Sequence, residues 1–353
     1  MRKTFLGMAV MVALTVGNVR AEIASGDWRG VGKWAFNEQK QGGTGTWSIS
    51  DSGVLTISGN GYINYYGNAS NSPWYEYRES ITAVNISEGI TDIGQQVFLG
   101  LTNATSINLP ETLTTIDNGA FANAENLTSL NIPASVTAIG DSAFRNLYNL
   151  TTLTFPEDSQ LKTIGVQNFD YNKLESVALP QSLTNIGANI FLGSQTKNLI
   201  IPDSITSLTN TFSQSQLYHG HIYCSRAQEE MCRTYFTAWQ YCGSNSSCKN
   251  HYLNDVLRIY DVDKTCDGDG NCTYNLFTIN GETFTSYNDM VAALGFPVPP
   301  PKENKLVKNA DGSYSVFDPD GNFIGFRGKR IYTVEEATKL SKETGNTFKL
   351  RYK

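Results

Sequence analysis

Hydrophobic and polar residues alternate in short stretches that return at a nearly fixed interval between Ile81 and Gln216. The repeated phrase reads hydrophobic, any, any, hydrophobic, polar, hydrophobic, Pro, and usually continues to an Ile-Gly pair before a phenylalanine; Ser87 takes the proline position in the first copy. The phenylalanines recur at steps of 23, 23, 25, 22 and 21 residues: Phe98, Phe121, Phe144, Phe169, Phe191 and Phe212. A period of this length predicts a solenoid, because one unit cannot bury its apolar face alone and must stack on its neighbours.

Each copy begins with an alternation of period two, which predicts a half-buried strand. The proline that follows is expected to end the strand, because it cannot donate a hydrogen bond to the ladder. After the proline comes an arc in which Gly94, Gly140, Gly165 and Gly187 are expected to permit a positive φ. Two inward-facing columns are predicted: Val84, Ile107, Leu130, Leu153, Val177, Leu199, and Ile86, Leu109, Ile132, Phe155, Leu179, Ile201.

The outward positions of the same strands are small and uncharged, which predicts a flat, hydrogen-bonding face. Six strands spaced by ~4.8 Å, each about five residues long, would form a face of roughly 500 Å². This is less than the ~800 Å² per partner of a standard protein interface, so a peptide, a glycan or a transient contact fits better than a large obligate partner. The candidate binding residues are Ser106, Asn108, Ser129, Asn131, Thr152, Thr154, Ser176 and Asn198. A solvated face without any ligand is the alternative.

The repeated phrase resembles the BspA-type leucine-rich repeats of bacterial surface and secreted proteins. Gly119-Ala120-Phe121 and Ser142-Ala143-Phe144 match the end of that repeat well, and the proline after five of the six strands matches as well. The resemblance covers about 140 residues. It implies an extracellular interaction scaffold, often an adhesive one, and implies no catalytic residues.

Residues 1–21 carry Arg2 and Lys3, a mostly apolar run and small residues before a cleavage position, which predicts a secretory signal peptide. Its removal would lower the formal net charge from −6 to −9. An acidic chain argues against a nucleic-acid partner. No later stretch has the roughly 20 apolar residues of a transmembrane helix. A secreted or periplasmic protein, with surface association left open, is therefore expected.

Residues 22–80 are rich in Gly, Trp and Tyr and predict a small β domain that covers the open end of the solenoid. Trp47/Ile49 and Leu55/Ile57 alternate on either side of Asp51-Ser52-Gly53, which indicates a hairpin. Trp74, Tyr75 and Tyr77 are expected to pack inside this cap. The alternative is that exposed aromatic residues, among them Trp28, Trp34 and Trp74, stack on sugars and make the chain a carbohydrate-binding module.

All six cysteines fall in the capping region predicted for residues 224–275: Cys224, Cys232, Cys242, Cys248, Cys266 and Cys272. In an exported chain an even count favours three disulfides, and the spacing does not choose among the 15 possible pairings. Zinc is the alternative, although the CxxC pairs typical of zinc sites are absent. An amphipathic helix after Ser225 is expected to close the second end of the solenoid, with Ser225 and Gln228 as a capping box.

Other candidate sites are weaker. His219 and His221 lie two residues apart near Cys224, as some metal ligands do, although a wet terminal strand also tolerates histidine. Asp267, Asp269 and Asn271 resemble the start of a calcium loop, but an EF-hand would need Glu where Thr278 stands. No metal or cofactor is therefore expected, and a solvated loop is the simpler interpretation. No nucleophile elbow, phosphate loop or HExxH motif is present, so the chain is not expected to be an enzyme.

The sequence therefore predicts a β-rich leucine-rich-repeat solenoid with parallel strands over residues 81–223, between an N-terminal β cap and the disulfide-rich helical region. A Pro-rich linker and a small α+β module are predicted within residues 276–353, with helices over 286–294 and from 333 to about 342, a hairpin around Asp318-Pro-Asp-Gly-Asn322 and a last strand over 347–352. The expected function is binding of an extracellular protein, peptide or glycan by the strand face. A structural spacer without a ligand is the other alternative.

Overall fold

The computed structural model describes residues 22–29, 34–35, 38–39, 42–63, 69–208, 211–212, 220–236, 246–247, 256–266, 272–299, 304–308, 314–317 and 348–351. The chain divides into two compact units, Met1–Val298 and Pro299–Lys353. The predicted signal peptide lies outside the described residues.

The N-terminal strands build a sheet that continues directly into the repeats. Strand β1 (Glu22–Arg29) pairs antiparallel with β4 (Thr44–Ser50), and β4 pairs antiparallel with β5 (Val54–Ile63), which confirms the hairpin around Gly53. Two short strands, β2 (Trp34–Ala35) and β3 (Glu38–Gln39), form a separate ribbon. The first half of β5 lies parallel to β6 (Ala83–Ile86) and its second half parallel to β7 (Ile90–Ile93). The cap strand β5 therefore pairs with both strands of the first repeat, β6 and β7.

The repeats form two columns of short parallel strands, which confirms the predicted solenoid. The strand ladder contains β6, β8 (Ser106–Asn108), β10 (Ser129–Asn131), β12 (Thr152–Thr154), β14 (Ser176–Ala178), β16 (Asn198–Ile200) and β17 (Ile222–Ser225). The arc ladder contains β7, β9 (Thr115–Ile116), β11 (Ala138–Ile139), β13 (Thr163–Ile164) and β15 (Asn185–Ile186). Between the ladders each proline begins a turn, because its carbonyl accepts from the amide three residues later, as in Val136 N to Pro133 O at 3.2 Å.

The core is a continuous stack of inward side chains with one aromatic ring per repeat. The first inward column is buried throughout, and in the second only Leu109 is partly exposed. The six repeat phenylalanines stack with neighbouring ring centroids 5.1 to 6.2 Å apart. Trp74 extends this stack at one end, 5.3 Å from Phe98, and Phe236 extends it at the other, 6.2 Å from Phe212. Elements outside the repeats therefore supply the two terminal rings.

The arc glycines have a different role from the one expected. None of Gly94, Gly140, Gly165 and Gly187 has a positive φ; the left-handed residue lies two positions later, at Gln96, Ser142, Gln167 and Asn189. A Cβ on Gly140, Gly165 or Gly187 would come within 2.4 Å of an atom of the preceding coil. The prediction of a positive φ is wrong, and Gly140, Gly165 and Gly187 are instead required because adjacent coils approach each other closely here.

The step of 25 residues changes the hydrogen bonds in the fourth arc. In the preceding arcs Phe98 N and Phe121 N donate to backbone carbonyls of the next repeat. Phe144 N instead donates to Asn168 Oδ1 at 3.1 Å, and Asn146 N donates to Asp170 Oδ1, also at 3.1 Å. The buried side chains of Asn168 and Asp170 thus replace missing backbone acceptors.

The second end of the solenoid is closed by a helix and a hairpin. The capping box of Ser225 and Gln228 is present, opens a short 3-10 turn (Arg226–Gln228) and leads into α1 (Glu229–Phe236). Strand β18 (Leu257–Cys266) then lies parallel to β17 and pairs antiparallel with β19 (Cys272–Ile279), which pairs with β20 (Glu282–Phe284). Helix α2 (Tyr287–Ala293) follows with Ser286 as N-cap, as predicted for residues 286–294.

The compact unit that contains the repeats ends at Val298, whereas the sequence places the start of the C-terminal module at residue 276. Position 276 lies inside β19, and Phe277, Tyr287 and Met290 are buried in one cluster with Ile200 of the last repeat. The second unit contains β21 (Asn304–Lys308), β22 (Tyr314–Phe317) and β23 (Phe348–Arg351), in the order β22-β21-β23. The hairpin predicted around residues 318–322 and the helix over 333–342 lie outside the described residues.

Candidate interaction face

The outward side of the strand ladder is open over the first repeats and covered over the last ones. Asn108, Ser129 and Asn131 are exposed, and Ser106 is half-exposed. Thr152, Ser176 and Asn198 are half-buried, while Thr154 is only 4% exposed. The expectation that Thr154 stands on an open face is therefore wrong, and the open face is shorter than six strands.

Side chains on this face are linked from one strand to the next. Asn108 Nδ2 donates to Asn85 Oδ1 at 2.5 Å, and Thr154 Oγ1 donates to Asn131 Oδ1 at 2.9 Å. Asn198 Nδ2 donates to Ser176 Oγ at 3.1 Å farther along the same ladder. These bonds hold the amide groups in fixed rotamers, so a ligand that binds them would pay little side-chain entropy.

The covered part of the face is occupied by β18–β20 and α2, here called the docked segment. Outward residues Ala178, Ile200 and Tyr223 pack with Phe277, Ile279, Met290 and other residues of this segment in a second hydrophobic cluster. Tyr287 OH donates to the Leu179 carbonyl at 2.8 Å, and Tyr260 OH donates to the Ile201 carbonyl at 2.7 Å. Burial raises the pKa of both phenols, so both remain neutral donors at neutral pH.

Charged groups attach the docked segment at two further points. Glu157 accepts from Ser286 Oγ at 2.9 Å and from Tyr287 N at 3.0 Å, so its carboxylate caps the N-terminus of α2. Asp203 is buried, accepts from the Ser225 hydroxyl and forms an ion pair with Lys264. The sequence analysis did not identify Glu157 or Asp203, although both follow a repeat proline. Glu157 contacts Ser286 and Tyr287, about 130 residues later, and Asp203 contacts Ser225 and Lys264 in two other strands.

The cysteines support the disulfide interpretation as far as they are described. Cys224 is bonded to Cys232, and Cys266 is also in a disulfide. Cys242 and Cys248 lie outside the described residues, as does the side chain of Cys272. Because the Cys224 sulfur is in a disulfide, the hypothesis of a metal held by His219, His221 and Cys224 loses its thiolate ligand.

The remaining metal candidates find no support in the described residues. His221 has a lowered pKa because it is partly buried and also faces the positive charge of Arg258. The described part of the chain contains no group of three His, Cys, Asp or Glu side chains placed to hold an ion. His219 and the calcium candidates Asp267, Asp269 and Asn271 lie outside that part.

Two of the aromatic residues proposed for sugar stacking, Trp28 and Trp74, are not available for it. Trp28 and Trp74 are each 1% exposed. The Trp28 indole donates to the Ser58 carbonyl and the Trp74 indole to the Val97 carbonyl, both at 3.1 Å. The carbohydrate-binding hypothesis is therefore wrong for these two residues, while the Trp34 side chain lies outside the described residues. Cap packing is the role that the structure supports for Trp74.

A family model for the BspA type leucine rich repeat region matches residues 71–194 and 158–237, with six copies. The repeats belong to this family. The match contains the repeats of the two ladders. At one end it also contains Trp74 and the 3-10 turn that follows it (Tyr75–Ser80), and at the other end the 3-10 turn (Arg226–Gln228) and α1. No curated protein matches the sequence.

Several solved structures are similar to this repeat protein. A leucine-rich repeat protein from Eubacterium ventriosum is 29% identical, with a TM-score of 0.35 over 52% of this chain and 42% of that one. The pneumococcal vaccine antigen PcpA is 20% identical, with a TM-score of 0.32 over 46% and 48%. A leucine rich cell surface protein from Faecalibacterium prausnitzii is 17% identical, with a TM-score of 0.32 over 52% and 69%. The chain thus spans less than half of the first two.

In the described part of the chain, no helix is long and apolar enough to cross a membrane.

Proposed function

We propose that this chain is a secreted or cell-surface interaction protein whose repeats bind an extracellular protein or glycan, without catalysis. Its place in the BspA-type repeat family and the predicted signal peptide support this role. The observation that carries the proposal is the row of strand-face amides of Asn85, Asn108 and Asn131. Asn108 donates to the half-buried Asn85, and both Asn108 and Asn131 are exposed on an uncharged face. Amide groups offer both donors and acceptors, so the row suits a polar ligand.

The size of the open face limits the ligand. Three strand spacings of ~4.8 Å and a strand length of ~16 Å leave an area of roughly 230 Å² before the docked segment begins. This area suits a short peptide, a few sugar units or one element of a larger partner better than a broad interface.

The test is a binding array of extracellular proteins, peptides and glycans probed with the full chain. The Asn108→Ala/Asn131→Ala double variant is expected to lose at least ~90% of the signal, while Asn126→Ala/Asn149→Ala retains it. The control pair makes the same kind of amide contact, with Asn149 Nδ2 donating to Asn126 Oδ1 at 3.0 Å, but it precedes the strands. An empty array would favour the structural spacer, and a signal that persists in the first variant would exclude the strand face.

A further inference from the structure

The docked segment provides one example of a helix bound to the strand face of this solenoid. Helix α2 sits on the outer side of the ladder with its N-terminus on Glu157, which accepts from the Ser286 hydroxyl and the Tyr287 amide. Tyr287 also donates its phenol hydrogen to the carbonyl of Leu179, the residue between β14 and Pro180. A carboxylate at a helix N-terminus satisfies amides that have no partner within the helix and stabilises the positive end of the helix dipole.

Equivalent groups recur two repeats earlier on the open face. Glu111 follows Pro110 as Glu157 follows Pro156, and Ile132 precedes Pro133 as Leu179 precedes Pro180. Glu111 is exposed, and within the described part of the chain its carboxylate accepts no hydrogen bond. Asn108 lies in the same repeat as Glu111, and Asn131 lies in the same repeat as Ile132. The open face therefore repeats the carboxylate and the carbonyl that hold the N-terminus of α2, with its carboxylate unused. The apolar contacts are not repeated, because Asn131 and Thr154 stand where Ala178 and Ile200 contact the docked segment.

The spacing of the repeats allows a second helix there. Two strand spacings of ~4.8 Å amount to about 9.6 Å. Packed helices have interaxial distances of about 8–10 Å. A helix placed on Glu111 would therefore lie beside α2 at an ordinary packing distance, and it would contact both the strand face and α2. The additional contact with α2 supplies area that the open face lacks by itself.

We propose, building on the interaction role above, that Glu111 and the open strand face bind the N-terminus of an amphipathic helix from a partner polypeptide, alongside α2. The partner helix has a hydroxyl residue at its N-cap and an aromatic or aliphatic residue next to it, as Ser286 and Tyr287 do in α2. It binds in the same direction as α2, because the carboxylate follows the proline in both repeats.

A synthetic peptide of residues 284–296, which carries the sequence of α2, is the probe for this site. Its affinity for the full chain is measured by fluorescence anisotropy. Glu111→Gln is expected to weaken binding at least ~10-fold, because the neutral amide makes weaker hydrogen bonds to the N-terminus of the helix than the carboxylate does. Glu125→Gln, an equal change outside the strand face, is expected to leave the affinity unchanged. A peptide with Ser286→Ala should bind the parent weakly. Its affinity should fall no further when the chain carries Glu111→Gln.

Three results would overturn the proposal: no saturable binding of the peptide, equal affinity for the parent and Glu111→Gln, or a loss with Glu157→Gln alone, which would mean that the peptide displaces α2. The binding array distinguishes a failure of the helix proposal from a failure of the proposed function. If the peptide does not bind but an array ligand depends on Asn108 and Asn131, only the helix proposal fails. If the array also shows no ligand, both fail.

Discussion

The rings of Phe121 and Phe144 lie parallel, with 1° between their planes and 5.6 Å between their centroids. Each ring belongs to a different repeat and each is fully buried. A repeat without its ring would leave a gap between two neighbours, because neither coil can move toward the other while both ladders remain hydrogen-bonded. This geometry explains why phenylalanine recurs while the steps between copies vary from 21 to 25 residues.

Replacement of Phe144 by Ala is expected to destabilise the protein by about 3–5 kcal/mol, because it creates a cavity between two stacked rings. Chemical unfolding measures the change. The matched control is Tyr148→Ala, whose side chain is 42% exposed and whose loss should cost no more than about 0.5 kcal/mol. Equal unfolding midpoints for the two variants would show that the ring stack is not the core.

Gly165 and Gly281 are expected to respond differently to the same substitution. A Cβ on Gly165 would lie 2.4 Å from Asp141 Oδ1 and 2.6 Å from Asp141 N, so Gly165→Asn should cost about 1–3 kcal/mol through overpacking. Gly281 has φ +84° and open space around it, a conformation that Asn tolerates. Gly281→Asn should therefore have the smaller effect on the melting temperature. The reverse order would contradict the close approach of the coils.

Asp170 makes the stability of the fourth arc depend on pH. Burial raises the pKa of Asp170 above its usual 3.8, although Asn146 and Arg145 act against this shift. The Asp170 carboxyl therefore binds a proton more readily in the folded state than in the unfolded state. The contribution of Asp170 to stability declines as pH rises from about 3.8 through the raised pKa. The melting temperature of Asp170→Asn is expected to rise relative to that of the parent as pH increases across this window. A difference that is independent of pH would contradict the assignment.

Lys264 is expected to anchor the docked segment. In Lys264→Met the Asp203 carboxylate, 2% exposed, keeps the Ser225 hydroxyl but loses its cation, at a cost of about 1–3 kcal/mol. Hydrogen exchange of α2 should increase together with the loss of stability. The control is Lys197→Met, because the ion pair of Lys197 with Glu175 is exposed on both sides and should contribute less than about 1 kcal/mol. Unchanged exchange in α2 would mean that the apolar cluster alone holds the segment.

Local patterns were sufficient for the repeats, their caps and several termini. The period of the phenylalanines, the alternation in each strand, the Ser225 capping box and the Ser286 N-cap all depend on residues within a few positions of each other, and the structure contains each of them. Parallel pairing followed as well, because identical short units that stack must present the same edge to each neighbour.

The extent of the candidate site depended on contacts between distant parts of the chain. Nothing near Glu157 or Ile200 in the sequence distinguishes a strand face that is open from one that contacts residues some 60 to 130 positions later. The arc glycines were found by pattern but explained wrongly, because the clash that requires them lies in the preceding coil. Sequence by itself determined the repeating unit, since local alternation and turn chemistry define it; only the tertiary structure decided which part of its outer face remains open, since burial is set by whatever packs there.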